Sequence, residues 1–263
     1  MEAKVCVLAS GSKGNCTYVS DGTTSLLIDV GISCKKVETL LEEKGLSMSD
    51  INAVLVTHEH TDHIMGLRTV DTKYGIPIYT NQKTAMSIDI RLHINTQKWC
   101  RNDFDSGFKI GTIEVTPFRT SHDAVSSVGY TLKLGDKKFS YVTDLGYMTQ
   151  GVFNVIKGSD IVVLESNHDL KMLTYGRYPL ELQARIKSNT GHLSNVQSAE
   201  VAVALAKSGT KCIILAHLSE ENNTPELAWG VCYDHLVQAG ITPGQGFYLI
   251  LASQSASTPL ITV

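Results

Sequence analysis

The most constraining stretch of this chain is an apolar run, Ala53-Val54-Leu55-Val56, that passes straight into Thr57-His58-Glu59-His60-Thr61-Asp62-His63. The run reads as a buried strand. A helix pattern follows from Ile64 to Tyr74, stopped by Gly75 and Pro77. A polar cluster between a buried strand and a helix lies where a sheet edge opens into a crevice. Residues two apart on an extended turn, here His58 and His60, can face one ion, and the adjacent Asp62-His63 can turn to a second. Imidazole and carboxylate together suit Zn, Mn or Fe, and a mixed N/O set suits an open catalytic site better than a closed, thiolate-rich one. Without that chemistry the same residues make a polar turn in which Asp62 caps a helix.

The rest of the pattern supplies the layers. Val5 to Leu8, Thr17 to Val19 and Leu26 to Ile28 read as short strands between Gly, Ser and Asn turns. Ser33 can cap a helix to about Lys44, with Val37, Leu40 and Leu41 on its apolar face and Gly45 ending it. Ile78 to Thr80 is a strand, Asn81 can cap the next helix, and residues 92–106 show no period and read as a loop. From Phe108 to Val142 the pattern is nearly all strand, turning at Gly111 and Gly135-Asp136. Ile161 to Leu164, Cys212 to Ala216 and Phe247 to Leu251 are further strands. Helices are expected after Pro179, after the capping box Ser194-Asn195-Val196-Gln197 as far as Lys207, and from Thr224-Pro225 to Gly240. No linker, repeat or low-complexity run interrupts the chain. Residues 1–263 therefore read as one domain, a layered α/β sandwich in which helices flank two sheets.

Composition works by exclusion. With 43% of its residues apolar, the chain has material for a substantial core. A net charge of −3 rules out broad electrostatic coating of nucleic acid, but not a local site where metals meet phosphates. No run approaches the roughly 18 apolar residues of a membrane helix, so no membrane partner is expected. Met1 to Leu8 reads as a strand pattern and not as a signal peptide. The six cysteines form no C-x-x-C pair and several sit in apolar patterns, which points to a reduced, cytoplasmic setting.

More polar residues recur at strand ends. His122 follows Val115 to Ser121, Asp144 follows Phe139 to Thr143, and His217 follows Ile213 to Ala216. Each alone is weak, since a lone His at a strand end is more often an exposed or capping residue; together, after the histidine cluster, they make a ligand set. Asp29 ends the strand Leu26 to Ile28. Ser10-Gly11-Ser12-Lys13-Gly14-Asn15 is a Gly-rich turn that can offer backbone N–H groups to an anion, or simply turn the chain; it lacks the ending of a Walker loop. Glu165 and His168 follow a buried strand and could pair, touch substrate or make a loop hydrogen bond. His192 precedes a helix cap, and Ser194 and Asn195 could cap that helix or donate to a phosphate.

These residues resemble the metallo-β-lactamase fold superfamily, and within it the YycJ family, also called WalJ or VicX. The resemblance runs through Leu8 to Cys16, Thr57 to His63, Ser121 to Ala124, Thr143-Asp144, Leu164 to Asp169, Gly191 to Asn195 and His217 to Leu227. It implies a four-layer αββα sandwich of two mixed β-sheets flanked by helices. It also implies a site for two divalent metal ions, Mn²⁺ or Zn²⁺, and 5′-to-3′ exonuclease action on single- or double-stranded DNA ends in bacterial mismatch repair. Carried over by position, His58, His60 and His122 hold one metal. Asp62, His63 and His217 hold the other, Asp144 bridges, and Asp29 orients the ligand loop from behind.

The expected reaction is attack of metal-activated hydroxide on a phosphodiester. His192 is expected as donor to the leaving oxygen, since histidines as a class titrate near neutral pH. Asp62 is expected to be both ligand and catalytic residue. Ser10, Asn15, His168, Ser194 and Asn195 are the expected substrate contacts. Two other functions fit the motif: a small-molecule hydrolase, such as a cyclic phosphodiesterase or thioester hydrolase, and a metal-holding regulatory protein without turnover. The first is open because the same metals polarise a carbonyl as well as a phosphoryl group.

Overall fold

Successive side chains of a strand point to opposite faces, and in the central strands of this chain both faces are apolar. A computed structural model describes residues 2–101 and 106–262. The first half runs β1 (Lys4–Ala9), β2 (Cys16–Ser20), β3 (Ser25–Ile28), α1 (Cys34–Glu42), β4 (Ala53–Leu55), the short turns α2 (Thr61–Ile64) and α3 (Leu67–Thr69), β5 (Ile78–Thr80), α4 (Gln82–Leu92) and β6 (Cys100–Arg101). The second half begins with β7 (Phe108–Ile110), β8 (Ile113–Arg119), β9 (Val128–Leu134), β10 (Lys137–Val142) and α5 (Gln150–Ile156). It continues with β11 (Ile161–Glu165), α6 (Leu170–Tyr175), α7 (Leu180–Lys187), α8 (Asn195–Lys207), β12 (Cys212–Ala216), α9 (Pro225–Gln238), β13 (Tyr248–Leu251) and β14 (Ile261–Thr262).

These strands form two seven-stranded sheets, ordered β14-β1-β2-β3-β4-β5-β6 and β13-β12-β11-β10-β9-β8-β7. In each sheet one side is antiparallel and the other parallel. β1 to β3 pair antiparallel and β3 to β6 parallel. β7 to β10 pair antiparallel and β10 to β13 parallel. The end of the chain crosses back, so that β14 pairs with β1.

The two-residue period sorts the core into three layers. Val5, Val7, Leu26, Ile28 and Leu55 face the other sheet and meet Val115, Leu132, Phe139, Val163 and Ile214. Their neighbours Cys6, Leu8, Leu27 and Val54 turn outward and pack with Val37 and Leu41 of α1 and Ile88 of α4. On the far side, Val162, Leu164, Ile213 and Leu215 pack against α5, α8 and α9 through Ile156, Ala202, Leu205 and Leu236. The result is the expected helix–sheet–sheet–helix stack. A buried Leu such as Leu55, fully enclosed between the sheets, contributes enough that truncation to Ala costs about 2–5 kcal/mol.

Several local expectations need correction. The helix expected from Ile64 to Tyr74 is broken into α2, α3 and a π-type turn over Val70–Tyr74. The break falls at Gly66, whose N–H bonds across to the Val30 carbonyl at 2.8 Å instead of up its own helix. The first helix stops at Glu42, short of Lys44, and Gly45 takes a left-handed φ of 70° beyond it. The stretch expected as a loop from 92 to 106 holds a 3-10 turn, Thr96–Lys98, and the edge strand β6; residues 102–105 lie outside the described residues. Helices α5 and α6 and strand β14 were not anticipated by the pattern, since their short length leaves no periodicity to read. Ser33, Asn81, Ser194 and Thr224 do cap their helices, Ser194 through a full capping box. Among the described residues no helix is long and apolar enough to cross a membrane.

Candidate metal centre and active site

The site lies at the carboxyl ends of the parallel strands, where loops leave both sheets together. Asp29 follows β3, the histidine loop follows β4, Asp144 follows β10, Glu165 closes β11 and His217 follows β12. Asp29, Asp144 and His217 adopt left-handed backbone, with φ of 58°, 56° and 58°. That region is unfavourable for residues with a Cβ, and it marks functional positions when the surroundings hold it. Here it turns each chain sharply at the strand end and sends the side chain back across the sheet edge.

Asp29 organises the histidine loop. Its Oδ1 accepts from the Thr57 N–H at 2.8 Å, and its Oδ2 accepts from the Thr57 hydroxyl at 2.8 Å. The same Oδ2 accepts from His63 Nδ1 at 2.7 Å, so one buried carboxylate pins both ends of the motif. His63 then presents Nε2 to Asp62 Oδ2 at 3.4 Å and Asp144 Oδ2 at 3.3 Å. Close backbone approach places Asp62: a Cβ on Gly31 would stand 1.6 Å from the Asp62 carbonyl oxygen. Asn15 bridges the contact, its N–H donating to Asp62 O and its carbonyl accepting from Gly31 N–H, both at 2.8 Å.

The ligand candidates converge in overlapping groups whose donor atoms lie within 4.8 Å of one another: His58, His60 and His122; His58, His63 and Asp144; Asp62, His63 and His217; and Asp144, Glu165, His192 and His217. Asp144 is the junction, 3.3 Å from His63, 3.5 Å from His122 and 3.7 Å from His217. All seven ligands expected from the sequence are therefore brought together. Glu165 and His192 join them in the fourth group.

Two buried atoms at the centre, His58 Nε2 and Asp144 Oδ2, have no hydrogen-bond partner. Buried polar groups left so are rare and call for an explanation such as an ion. The electrostatics agree. Burial pushes the His58, His60 and His122 imidazoles down, most strongly at His58, so they stand as neutral donors. Burial would also lower His63 and His217, but carboxylates, Asp144 foremost, hold both up, His217 to about 10. Asp62 and Asp144, opposed by burial, are kept ionised by those imidazoliums. Imidazole ligands bind a metal in their neutral form, so metal binding at such a centre competes with protons. The donor set, neutral imidazoles on one side and carboxylates on the other, fits divalent transition-metal ions.

Behind the ligands stands Glu165, which the sequence placed only loosely. Its carboxylate accepts from His217 Nδ1 at 2.8 Å and His192 Nδ1 at 2.9 Å. It also accepts the N–H groups of Asp144, Leu145 and Leu193 at 3.1, 3.2 and 2.8 Å. Against the effect of burial, His192 and His217 hold its carboxyl at about 2. The available signal was positional: like Asp29, it is an acid at the end of a buried parallel strand.

A cavity of about 210 Å³ opens on the centre, lined by His60, Asp62, Asp144, His192 and His217 together with Ser12, Asn167, Tyr178, Arg185 and Ser219. None of the five expected substrate contacts lines it. The Ser10 hydroxyl accepts from the His217 N–H at 2.8 Å, and Asn15 braces Asp62. Ser194 caps α8, while Asn195 Oδ1 accepts from Ser166 Oγ and Asn223 Nδ2, both at 2.8 Å. His168 is buried, with Nδ1 unpartnered, and among the described residues no hydrogen bond joins it to Glu165. All five are buried scaffold. Tyr178, Arg185 and Asn167 were missed, because loop and helix positions carry no local sign of which cavity they face. Arg185 pairs with Asp123, and Asp123 Oδ1 stands 3.5 Å from His122 Nε2.

The family described as "Beta-lactamase superfamily domain" matches residues 24–218. The chain is 36% identical over 263 residues to a protein of Streptococcus pneumoniae serotype 2 named exodeoxyribonuclease WalJ, covering 99% of this chain and 98% of the other. It is 39% identical over 242 residues to a Bacillus anthracis protein named exodeoxyribonuclease YycJ, covering 92% of each. Among solved structures, the metallo-beta-lactamase fold protein YhfI from Bacillus subtilis superposes with a TM-score of 0.72 at 16% identity, covering 98% of this chain and 99% of that one. At that identity the likeness is one of fold.

Proposed function

This chain belongs to the β-lactamase superfamily domain family, and on that premise we propose that it is a metal-dependent exodeoxyribonuclease that shortens DNA from the 5′ end during DNA repair, mismatch repair in particular. Its relatives named exodeoxyribonuclease match it over nearly the whole chain. The observation that carries the reading is Asp144 at the junction of the ligand groups, its buried Oδ2 beside His63 but without a hydrogen bond, at an open, polar cavity. A cytoplasmic setting is supported by six cysteines that are all unpaired.

His58, His60 and His122 would hold one Mn²⁺ or Zn²⁺ ion and Asp62, His63 and His217 a second, with Asp144 shared. When bound, such a pair supplies Lewis acidity toward a phosphodiester and lowers the pKa of water. The chain does the rest. Asp29 fixes His63, and Glu165 fixes His217, each through the ring nitrogen turned away from the cavity. Asp62 reaches the cavity wall as ligand and orienting group. His192, with Nδ1 engaged by Glu165, keeps Nε2 for the leaving 3′ oxygen. Tyr178 and Arg185 offer donors to non-bridging phosphate oxygens from the same wall.

The test uses single- and double-stranded DNA labelled at either end, with Mn²⁺. The 5′ label is expected to leave first, as mononucleotides or short products. No cleavage of either DNA, with turnover of a cyclic phosphodiester or a thioester instead, would overturn the reading.

A further inference from the structure

A second cavity of about 540 Å³ is lined by Met172, Tyr175, Gly176, Arg177 and Glu221. Its lining comes from the same two chain segments that wall the metal cavity. On one wall, Tyr178 and Arg185 of the metal cavity follow Tyr175 and Arg177 within the same α6–α7 segment. On the other, Glu221 stands four residues beyond His217, in the loop that leaves β12. The two walls are tied together by the Asp169 N–H, which donates to the Asn222 carbonyl at 2.8 Å.

The lining presents exposed aromatic and basic side chains. Tyr175 is 86% exposed, and Leu180, just beyond it, is 80% exposed. Arg177 makes no ion pair or hydrogen bond among the described residues. From Leu170 to Lys187 the segment carries four basic side chains, Lys171, Arg177, Arg185 and Lys187, against one acid, Glu181, in a chain whose net charge is −3. An exposed ring, an unpaired guanidinium and a local excess of positive charge suit a single strand, which is held by stacked bases and neutralised phosphates. Glu221 refines the fit. A carboxylate in the cavity repels a phosphate but accepts from the N–H groups of a base edge.

We infer that this cavity receives a nucleobase of the DNA strand whose phosphodiester occupies the metal cavity, with the base stacked on Tyr175, its edge toward Glu221, and the adjoining phosphate on Arg177. The inference rests on the DNA-directed reading above and adds the strand's path across α6 and α7.

The test is an abasic scan with Mn²⁺-loaded protein on 5′-labelled single strands, each lacking one base near the labelled end. For the native protein, removal of one particular base is expected to raise KM roughly 5- to 100-fold, the range that base–aromatic stacking supports. Tyr175→Ala is expected to raise KM on intact DNA by a similar factor and to erase the abasic penalty, with metal content and melting temperature unchanged. Tyr175→Phe should restore both the KM and the penalty. A flat scan in the native protein, or a full abasic penalty surviving in Tyr175→Ala, overturns the base pocket while leaving the nuclease standing. Failure of the native protein to cleave intact DNA overturns the nuclease reading and the pocket with it.

Discussion

His63 Nδ1 lies 2.7 Å from Asp29 Oδ2, and both side chains are completely buried. The pair joins the end of β3 to the last residue of the histidine motif, so the ring that faces the metal centre is aimed by a carboxylate that never reaches the cavity. Such outer partners set the tautomer and orientation of a ligand imidazole.

Asp29→Asn therefore tests the aiming. Asn tolerates the left-handed backbone at this position, but its amide has one accepting oxygen where Asp29 uses two. Metal affinity is expected to fall about 10- to 100-fold, measured by competition with a chromogenic chelator, while circular dichroism stays native. Wild-type affinity would show that Asp29 only closes a turn.

His60→Ala and Asp144→Ala test the proposed ligands directly. Both should lower metal content and reduce DNA cleavage by at least about 100-fold, because His60 completes the group with His58 and His122 and Asp144 belongs to two of the groups. Prolonged dialysis against EDTA should abolish activity in the native protein, and added Mn²⁺ should restore it. Metal stoichiometry, kcat and melting temperature are read on the same samples; full activity in the metal-free protein would contradict the assignment.

His192→Ala tests the proposed proton donor apart from the proposed ligands. Its Nδ1 is engaged by Glu165 and its ring lines the cavity. The variant should keep its metal and lose kcat by about 10²- to 10⁴-fold, with KM changed far less. A nitrophenyl phosphodiester, whose leaving group needs little protonation, should narrow that loss. Metal loss in this variant would make His192 a ligand.

Gly31→Ala tests the close approach of two loops. The added Cβ would meet the Asp62 carbonyl oxygen at 1.6 Å, so the Asp62 loop must move. Destabilisation of about 2 kcal/mol or more is expected, together with weaker metal binding because Asp62 moves with its backbone. Denaturant melts of the metal-free protein measure the first, and titration the second. A native melt would show that the loops have room to separate.

The buried thiols give a pH signature away from the metal. Burial pushes Cys212 and Cys232 up to about 12 from an ordinary 9.0. Between those values the folded chain keeps a proton that the unfolded chain releases. Stability from this source is thus full below about pH 9 and falls as pH rises toward 12, by about 1.4 kcal/mol per pH unit for each thiol. Cys232→Ala should flatten the decline by that amount in urea melts between pH 9 and 11. An unchanged slope would mean that the thiol ionises as readily folded as unfolded.

Much of this protein could be read along the chain, because the information is local. The period-two strands, the caps at Ser33, Asn81, Ser194 and Thr224, and the spacing of His58, His60, Asp62 and His63 all depend on neighbours a few residues apart. Backbone geometry converts such spacings into faces and turns without help from the rest of the fold. Even Asp29, 34 residues before His63, was accessible as an acid ending a buried strand.

What only the tertiary structure decided are meetings across large separations. Glu165 reaches His217 across 52 residues and His192 across 27, and Ser10 reaches the His217 backbone across 207. These contacts exist because two sheets pack face to face and release their loops at one edge, and no local period encodes which loops then touch. For that reason Ser10, Asn15, His168, Ser194 and Asn195, polar and near the motifs in sequence, turn inward to brace the loops. Tyr178 and Arg185, in a segment with no motif, line the cavity instead. Residue types and spacing determined which chemistry the chain can hold; the packing of the two sheets determined which side chains hold it, and which are left to meet a substrate.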